Sequence, residues 1–209
     1  MINNVRTYIL SACMVMMVLA AFSSCSEKDA ESEYSDWESR NEAFVDSISK
    51  VAHANADGTW AIYKAYTLGD STSMYNGQND KFIYVKKMEK GSGTMRPLFN
   101  DSVRVHYYGR LIPSKTYKEG YNFDKSYVSD HLNELTDVPA LLSVSGNVVG
   151  FSTALQYMVE GDRWMVYIPS QLGYGTNENY GLPAYSTLIF DIKLAKVYRE
   201  GTYDNTDWY

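Results

Sequence analysis

The chain has 209 residues, 19 basic and 25 acidic side chains, a formal net charge of −6 and a 45% hydrophobic share. That length holds one ordinary domain with an extension, or at most two small domains, and the modest negative charge argues against nucleic acid as a partner. Nineteen tyrosines against seven phenylalanines suit half-buried sheet positions, where the ring is covered and the hydroxyl stays wet.

The N-terminus reads as an address. Arg6 stands ahead of an almost unbroken apolar run over residues 8–22, and Ser23 and Ser24 lead to Cys25, the layout of an export signal over residues 1–24. The run is short for a stable membrane span. Phe22-Ser23-Ser24-Cys25 resembles a bacterial lipobox. It implies acylation of Cys25 and anchoring in the outer membrane of a Gram-negative-type cell, on the periplasmic or the surface face. The alternative is simple signal cleavage with Cys25 left free. With Cys13 removed and Cys25 acylated, no thiol remains for a disulfide, a zinc–thiolate site or a cysteine nucleophile. Residues 25–34 are polar and acidic, too poor in apolar surface to fold, and read as a tether.

Residues 35–79 read as an extension containing a helix. Ser35 and Glu38 form a capping-box pattern, and Trp37, Phe44, Ile48 and Val51 fall on one stripe. The Asn55-Ala56-Asp57-Gly58 stretch predicts the stop. Trp60, Ile62 and Tyr66 predict a strand over residues 59–68, and residues 69–79 are loop-like. Too small to bury much alone, this extension either packs on the domain C-terminal to it or joins two chains in a homodimer.

Residues 80–198 read as the main domain and 199–209 as a tail. Strands are predicted over residues 82–88, 102–111, 163–168 and 187–197. In the second, Val103, Val105 and Tyr107 share one face while Arg104, His106 and Tyr108 share the other. One helix sits among the strands: Phe151, Ala154, Leu155 and Met158 keep helical spacing, with Gly161 placed as its stop. Strands with a lone helix predict an α+β fold, a curved antiparallel sheet wrapped around that helix.

The chain lacks a Gly-rich phosphate loop and a Gly-x-Ser-x-Gly elbow. His53, His106 and His131 share no metal-ligand spacing, and His106 reads as a hydrogen-bonded structural residue. What remains is a set of aromatic residues with one acid among them, Asp124. Taken singly, inward aromatics are core residues. The acid needs a partner, which Ser126 or the loop backbone can supply.

The arrangement of these residues is specific. Val103-Arg-Val-His-Tyr-Tyr-Gly-Arg-Leu111 resembles the Val-x-Val-His-Tyr-x-Gly-x-Leu strand of the FKBP family. Gly120-Tyr-Asn-Phe123-Asp124-Lys-Ser126 is similar to its Gly-x-x-Phe-Asp-x-Ser segment, and Val148-Val-Gly150-Phe151 to its Ile-x-Gly-Trp helix entry. Ile168-Pro169-Ser-Gln-Leu172-Gly-Tyr174-Gly175 resembles Ile-Pro-x-x-Leu-Ala-Tyr-Gly. Leu182-Pro183 and the segment from Thr187 to Ile192 resemble the family's last strand and the turn before it. The resemblance runs in family order from residue 79 to residue 197.

It implies a five- to six-stranded antiparallel half-barrel clasping one short helix, here with an N-terminal helical extension. It also implies peptidyl-prolyl cis/trans isomerase activity without cofactor or metal, proline-containing polypeptides as partners, and macrolides as inhibitors. Carried over by position, Tyr107, Phe123, Asp124, Tyr174 and Phe190 form the catalytic set. Val148, Phe151, Leu172 and Leu182 form the substrate walls, with Phe151 as the floor. Phe151 stands where the family has Trp, and Gly173 stands where it has Ala, which predicts a looser loop. The competing reading is a non-catalytic proline-peptide binding module or chaperone on the cell envelope.

Overall fold

The computed structural model describes residues 33–69, 78–129, 131–179 and 181–203. The export signal, Cys25 and nearly all of the tether lie outside the described residues. The chain divides into two units, Met1–Ser35 and Asp36–Tyr209, and the helices and strands of the described residues belong to the second.

That unit contains helix α1 (Trp37–Ala54), strands β1 (Trp60–Lys64), β2 (Phe82–Glu89), β3 (Ser102–Arg110), β4 (Asn122–Lys125) and β5 (Ala140–Ser143), helix α2 (Val149–Tyr157), and strands β6 (Arg163–Ile168) and β7 (Leu188–Tyr198). All seven strands join one antiparallel sheet in the order β1-β2-β6-β7-β3-β4. The β5 strand pairs with the first half of β3 (Ser102↔Ser143 to Val105↔Ala140), and β4 pairs with the second half. The α+β architecture is the one that the sequence implies. The seventh strand comes from the extension, because β1 pairs along β2 (Trp60↔Lys86 to Lys64↔Phe82) and lengthens the sheet.

Alternation places the core. In β6, Trp164, Val166 and Ile168 are buried while their neighbours are half-buried. In β7, Leu188, Phe190, Ile192 and Leu194 face the same way, opposite Ile168, Val166 and Trp164 across the ladder. Over this inner face lies α2, whose Phe151, Ala154, Leu155 and the following Met158 are 3% exposed or less. The helix ends earlier than the sequence suggests. Met158 is already extended (ψ 159°), and Gly161, at φ +90°, turns the chain into β6 instead of capping the helix.

The outer face is also covered. Helix α1 lays Val45 and Ala52 on Phe82 and Tyr84, with Ile48, Trp60, Ile62 and Tyr167 at the margin. Its entry differs from the capping-box expectation: the residue before the helix is Asp36, in a left-handed conformation (φ 52°), with no side-chain cap. Its exit is as predicted, since Asn55 is left-handed and its N–H donates to Val51 O at 3.0 Å. The buried stripe differs too. It runs through Trp37, Asn41, Val45, Ser49 and Ala52, whereas Val51 is 47% exposed. Two polar residues are tolerated in it because both are bonded. Asn41 bonds Trp37 O and Thr187 N, and Ser49 Oγ donates to Asn79 Oδ1 at 3.1 Å. A purely apolar pattern does not see such positions.

Candidate functional site

One cleft of about 270 Å³ opens where β3, β4, β5 and β7 meet the start of α2. Each wall has a local reason. The alternation of β3 turns Tyr107 to the inner face beside Val105. The register of β3 with β7 sets Gly109 opposite Phe190. Val148 is the residue before α2, and Ser152 N–H donates to its carbonyl at 3.0 Å, so the first helical turn delivers Val148 and Phe151 together. Tyr174 comes from the loop between β6 and β7, and Asp124 from the exposed edge of β4.

The rings meet edge to face, the arrangement that aromatic quadrupoles prefer. Phe151 and Phe190 lie 5.0 Å apart at 80°, Tyr107 and Phe151 6.0 Å apart at 84°, and Tyr107 and Phe190 6.3 Å apart at 63°. Phe151 is 3% exposed and forms the bottom. The Tyr107 hydroxyl donates to Asp124 Oδ2 at 3.0 Å. Burial, and then the Asp124 carboxylate beside it, push the Tyr107 phenol well above its usual range, so it remains a proton donor at any physiological pH. Ser126 pins the base of Tyr107. Its Oγ accepts from Tyr107 N–H at 2.9 Å, and its N–H donates to Tyr107 O at 3.0 Å. Asn122 spans the same hairpin, donating to Gly109 O at 2.8 Å and Asp124 O at 3.1 Å.

Of the nine pocket residues expected from sequence, Tyr107, Asp124, Val148, Phe151, Tyr174 and Phe190 line this cleft. Phe123 stands behind it, against Phe190 at 5.4 Å and 87°. Leu172 and Leu182, 7% and 3% exposed, are packed away from the lining. Leu142, Gly146 and Asn147 line the cleft without having been expected there. The strand that carries Leu142, β5, is four residues long, too short for alternation to stand out, and Gly146 and Asn147 lie in the turn after it. Gly109, the glycine of the β3 motif, is a further site residue that was not among the nine expected. A Cβ there would lie 2.5 Å from Phe190 Cε1 and 2.9 Å from Phe123 Cζ, so only glycine lets both rings close over the strand.

Gly173 does not loosen its loop. Its N–H donates to Ser170 O at 2.9 Å, and a Cβ there would come within 3.1 Å of Leu188 Cδ1, so the missing methyl permits close packing. His106 is 4% exposed, but its Nδ1 has no hydrogen-bond partner among the described residues, unlike the bonded histidine expected. Among the described residues, no group of three or more His, Cys, Asp or Glu is placed to hold a metal, and no helix is long and apolar enough to cross a membrane.

Residues 93–195 match the family described as FKBP-type peptidyl-prolyl cis-trans isomerase. The chain is 34% identical over 116 residues to the Macrophage infectivity potentiator of Trypanosoma cruzi, covering 55% of this chain and 53% of that protein. It is also 34% identical over 116 residues to the Outer membrane protein MIP of Legionella longbeachae, covering 55% of this chain and 44% of the other. The chain thus spans about half the length of these curated relatives. The crystal structure of FkpA from Escherichia coli shares the fold, with a TM-score of 0.55 at 24% identity, over 89% of this chain and 72% of that one.

Proposed function

We propose, from the premise that this chain belongs through residues 93–195 to the FKBP-type peptidyl-prolyl cis-trans isomerase family, that the cleft over Phe151 binds prolyl peptides and speeds rotation about the X–Pro bond. The observation that carries this is the meeting of three rings edge to face with one protonated phenol held by a carboxylate.

No covalent step is needed. Rotation costs about 18–20 kcal/mol because amide resonance is lost in the twisted state, and unaided X–Pro bonds relax in tens to hundreds of seconds. The prolyl ring sits on Phe151 between Tyr107 and Phe190. In this covered site the planar, more polar amide loses hydration that the twisted amide needs less. Tyr174, or a backbone N–H near it, holds the substrate carbonyl. Asp124 keeps the Tyr107 hydroxyl oriented, and Phe123 stiffens Phe190 from behind. Leu172 and Leu182 support the loop from its buried side. Macrolide inhibitors would compete for the same floor.

Cys25 acylation and the acidic tether would place the domain on the cell envelope, where the substrates are exported polypeptides. The name of the Legionella longbeachae relative supports this placement. A homodimer through the extension loses its simplest support, because α1 buries its stripe on its own sheet.

The test is a prolyl isomerisation assay with tetrapeptides that vary the residue before proline. Tyr107→Phe and Asp124→Ala should each lower kcat/KM by about tenfold or more, the scale of a lost orienting contact, with circular dichroism unchanged. Full activity in both would refute this assignment of the cleft. A well-folded wild-type protein with no activity would turn the reading to a non-catalytic prolyl-peptide binder.

A further inference from the structure

We infer that Trp37 and Asn41, on the outer helix α1, are positioning residues for the cleft, acting through the loop over residues 169–187 that carries Tyr174. The inference rests on the prolyl-binding reading of that cleft.

The helix buries an amide where a stripe of its kind would carry an apolar residue. Asn41 is 3% exposed. A buried amide is retained only where its hydrogen bonds are made, and here both ends are engaged. Nδ2 donates to Trp37 O at 2.7 Å, and Oδ1 accepts from Thr187 N–H at 2.7 Å, across 146 positions of sequence. One turn earlier, Trp37 Nε1 donates to Ser186 Oγ at 2.9 Å, and that hydroxyl donates on to Pro183 O at 2.7 Å. Ser186 and Thr187 are the last residues before β7, the point where the loop returns to the sheet.

From that point the grip passes toward the cleft. Tyr185 has φ +60°, a conformation rare for a bulky residue and kept only where its surroundings hold it. The two residues after it are the two that α1 holds. Tyr185 N–H donates to Gly175 O at 2.9 Å, and Gly175 N–H donates to Ser170 O at 2.8 Å. Gly175 follows Tyr174, the cleft residue. Each link is a hydrogen bond of ordinary length. The path starts at residues 37 and 41, ahead of the segment that matches the isomerase family, so this chain recruits its extension to fix one wall of the cleft.

The experiment uses the full chain with Asn41→Leu and Val45→Ala. Leucine keeps the size of the side chain and removes both of its hydrogen bonds. Val45→Ala weakens the packing of α1 on Phe82 and Tyr84 and removes none of the hydrogen bonds to the loop. Two readouts are taken: kcat and KM on tetrapeptides, and amide hydrogen exchange over residues 169–187. With Asn41→Leu, kcat/KM should fall about tenfold, carried chiefly by KM, and exchange at residues 174–187 should speed up about tenfold. Val45→Ala should move neither. Unchanged exchange and kcat/KM in Asn41→Leu would overturn the inference, as would equal changes in Val45→Ala. If the wild type proves inactive, the isomerase reading fails by itself and the exchange contrast still decides this one. If Asn41→Leu does not fold, Trp37→Phe, which removes the indole N–H and keeps an aromatic ring, takes its place with the same outcomes.

Discussion

The two faces of the sheet are built differently. The inner face is neutral and close-packed: Val105, Val166, Ile168 and Ile192 are wholly buried against α2, and its open end is the aromatic cleft. The outer face is divided between the apolar cap of α1 and a mesh of charges. In that mesh Arg163 forks onto Asp191 with bonds of 3.0 and 2.8 Å, and Glu89 accepts from both Arg163 and Lys193. Lys193 also meets Glu134 at 3.2 Å. Hydrogen bonding to Asp191 raises the Arg163 pKa, so the fork stays charged. One sheet therefore keeps its binding geometry on the dry side and its electrostatics on the wet side. Changes in the charged mesh should alter stability and spare activity, whereas changes on the inner face should alter both.

The strongest way to break this contrast is Phe151→Ala. Phe151 is both core and floor, at 3% exposure, so the variant should lose about 3–5 kcal/mol of stability in denaturant unfolding together with prolyl isomerisation. A variant that stayed fully active would remove the floor from the cleft. Gly109→Ala is the next sharpest. Its methyl would meet Phe190 and Phe123 inside normal contact distance. Overpacking of this kind costs about 1–3 kcal/mol, and the displaced Phe190 should take activity down with it. Unaltered kinetics in a folded Gly109→Ala would show that the ring does not need its place.

The outer face should answer differently. Asp191→Ala leaves Arg163 facing only Glu89. The Arg163 and Asp191 side chains are 32% and 20% exposed, so the loss falls between that of a surface pair and that of a buried one, about 1–2 kcal/mol. Thermal unfolding should record that loss while kcat/KM stays within about twofold of wild type, an interval well below one hydrogen bond. A tenfold loss of activity here would mean that the charged mesh, and not only α1, is coupled to the cleft.

The same division explains what is legible in the sequence. Where a face is purely apolar, spacing alone is enough, and β6, β7 and the inner stripe of α2 follow from alternation and helical period. Tyr107, Asp124, Phe151 and Phe190 stand out through ordered motifs, and they meet in one cleft. On α1, by contrast, the apolar pattern points to Val51, and the chain buries Asn41 and Ser49 instead. Their partners, Thr187 and Asn79, lie far away in sequence, and no local pattern announces a polar residue that will be satisfied from afar. Leu142 and Asn147 escape for a different reason. Leu142 is placed by the pairing of a four-residue strand with β3, and Asn147 by side-chain bonds to Ser143 O and Val144 O in the turn that follows, so neither is announced by its own composition.

The smallest effect should be one of pH, and it again tests the outer face. His106 lies in β3 opposite Lys193, 4% exposed, with Glu134 and Asp137 facing it from the covering loop. Burial pushes its pKa below 6.5. Lys193 pushes the same way, while the two carboxylates oppose them without prevailing. In the interval between the folded pKa and 6.5 the unfolded chain binds more protons than the folded one, so stability rises with pH there. The contribution of His106 is therefore complete above 6.5 and is lost as pH falls through the folded value. Carboxylates titrate near pH 4, so a comparison of urea midpoints at about pH 7.5 and pH 5.5 reads the three histidines, and His106→Leu singles out this one. The wild type should lose stability across that step and His106→Leu should lose less, with equal prolyl activity in both at the higher pH. Parallel losses would assign the acid sensitivity to another group. A drop in activity in His106→Leu at neutral pH would show that the charged side of the sheet reaches the cleft through β3, the one strand that carries His106 outward and Tyr107 inward on adjacent residues.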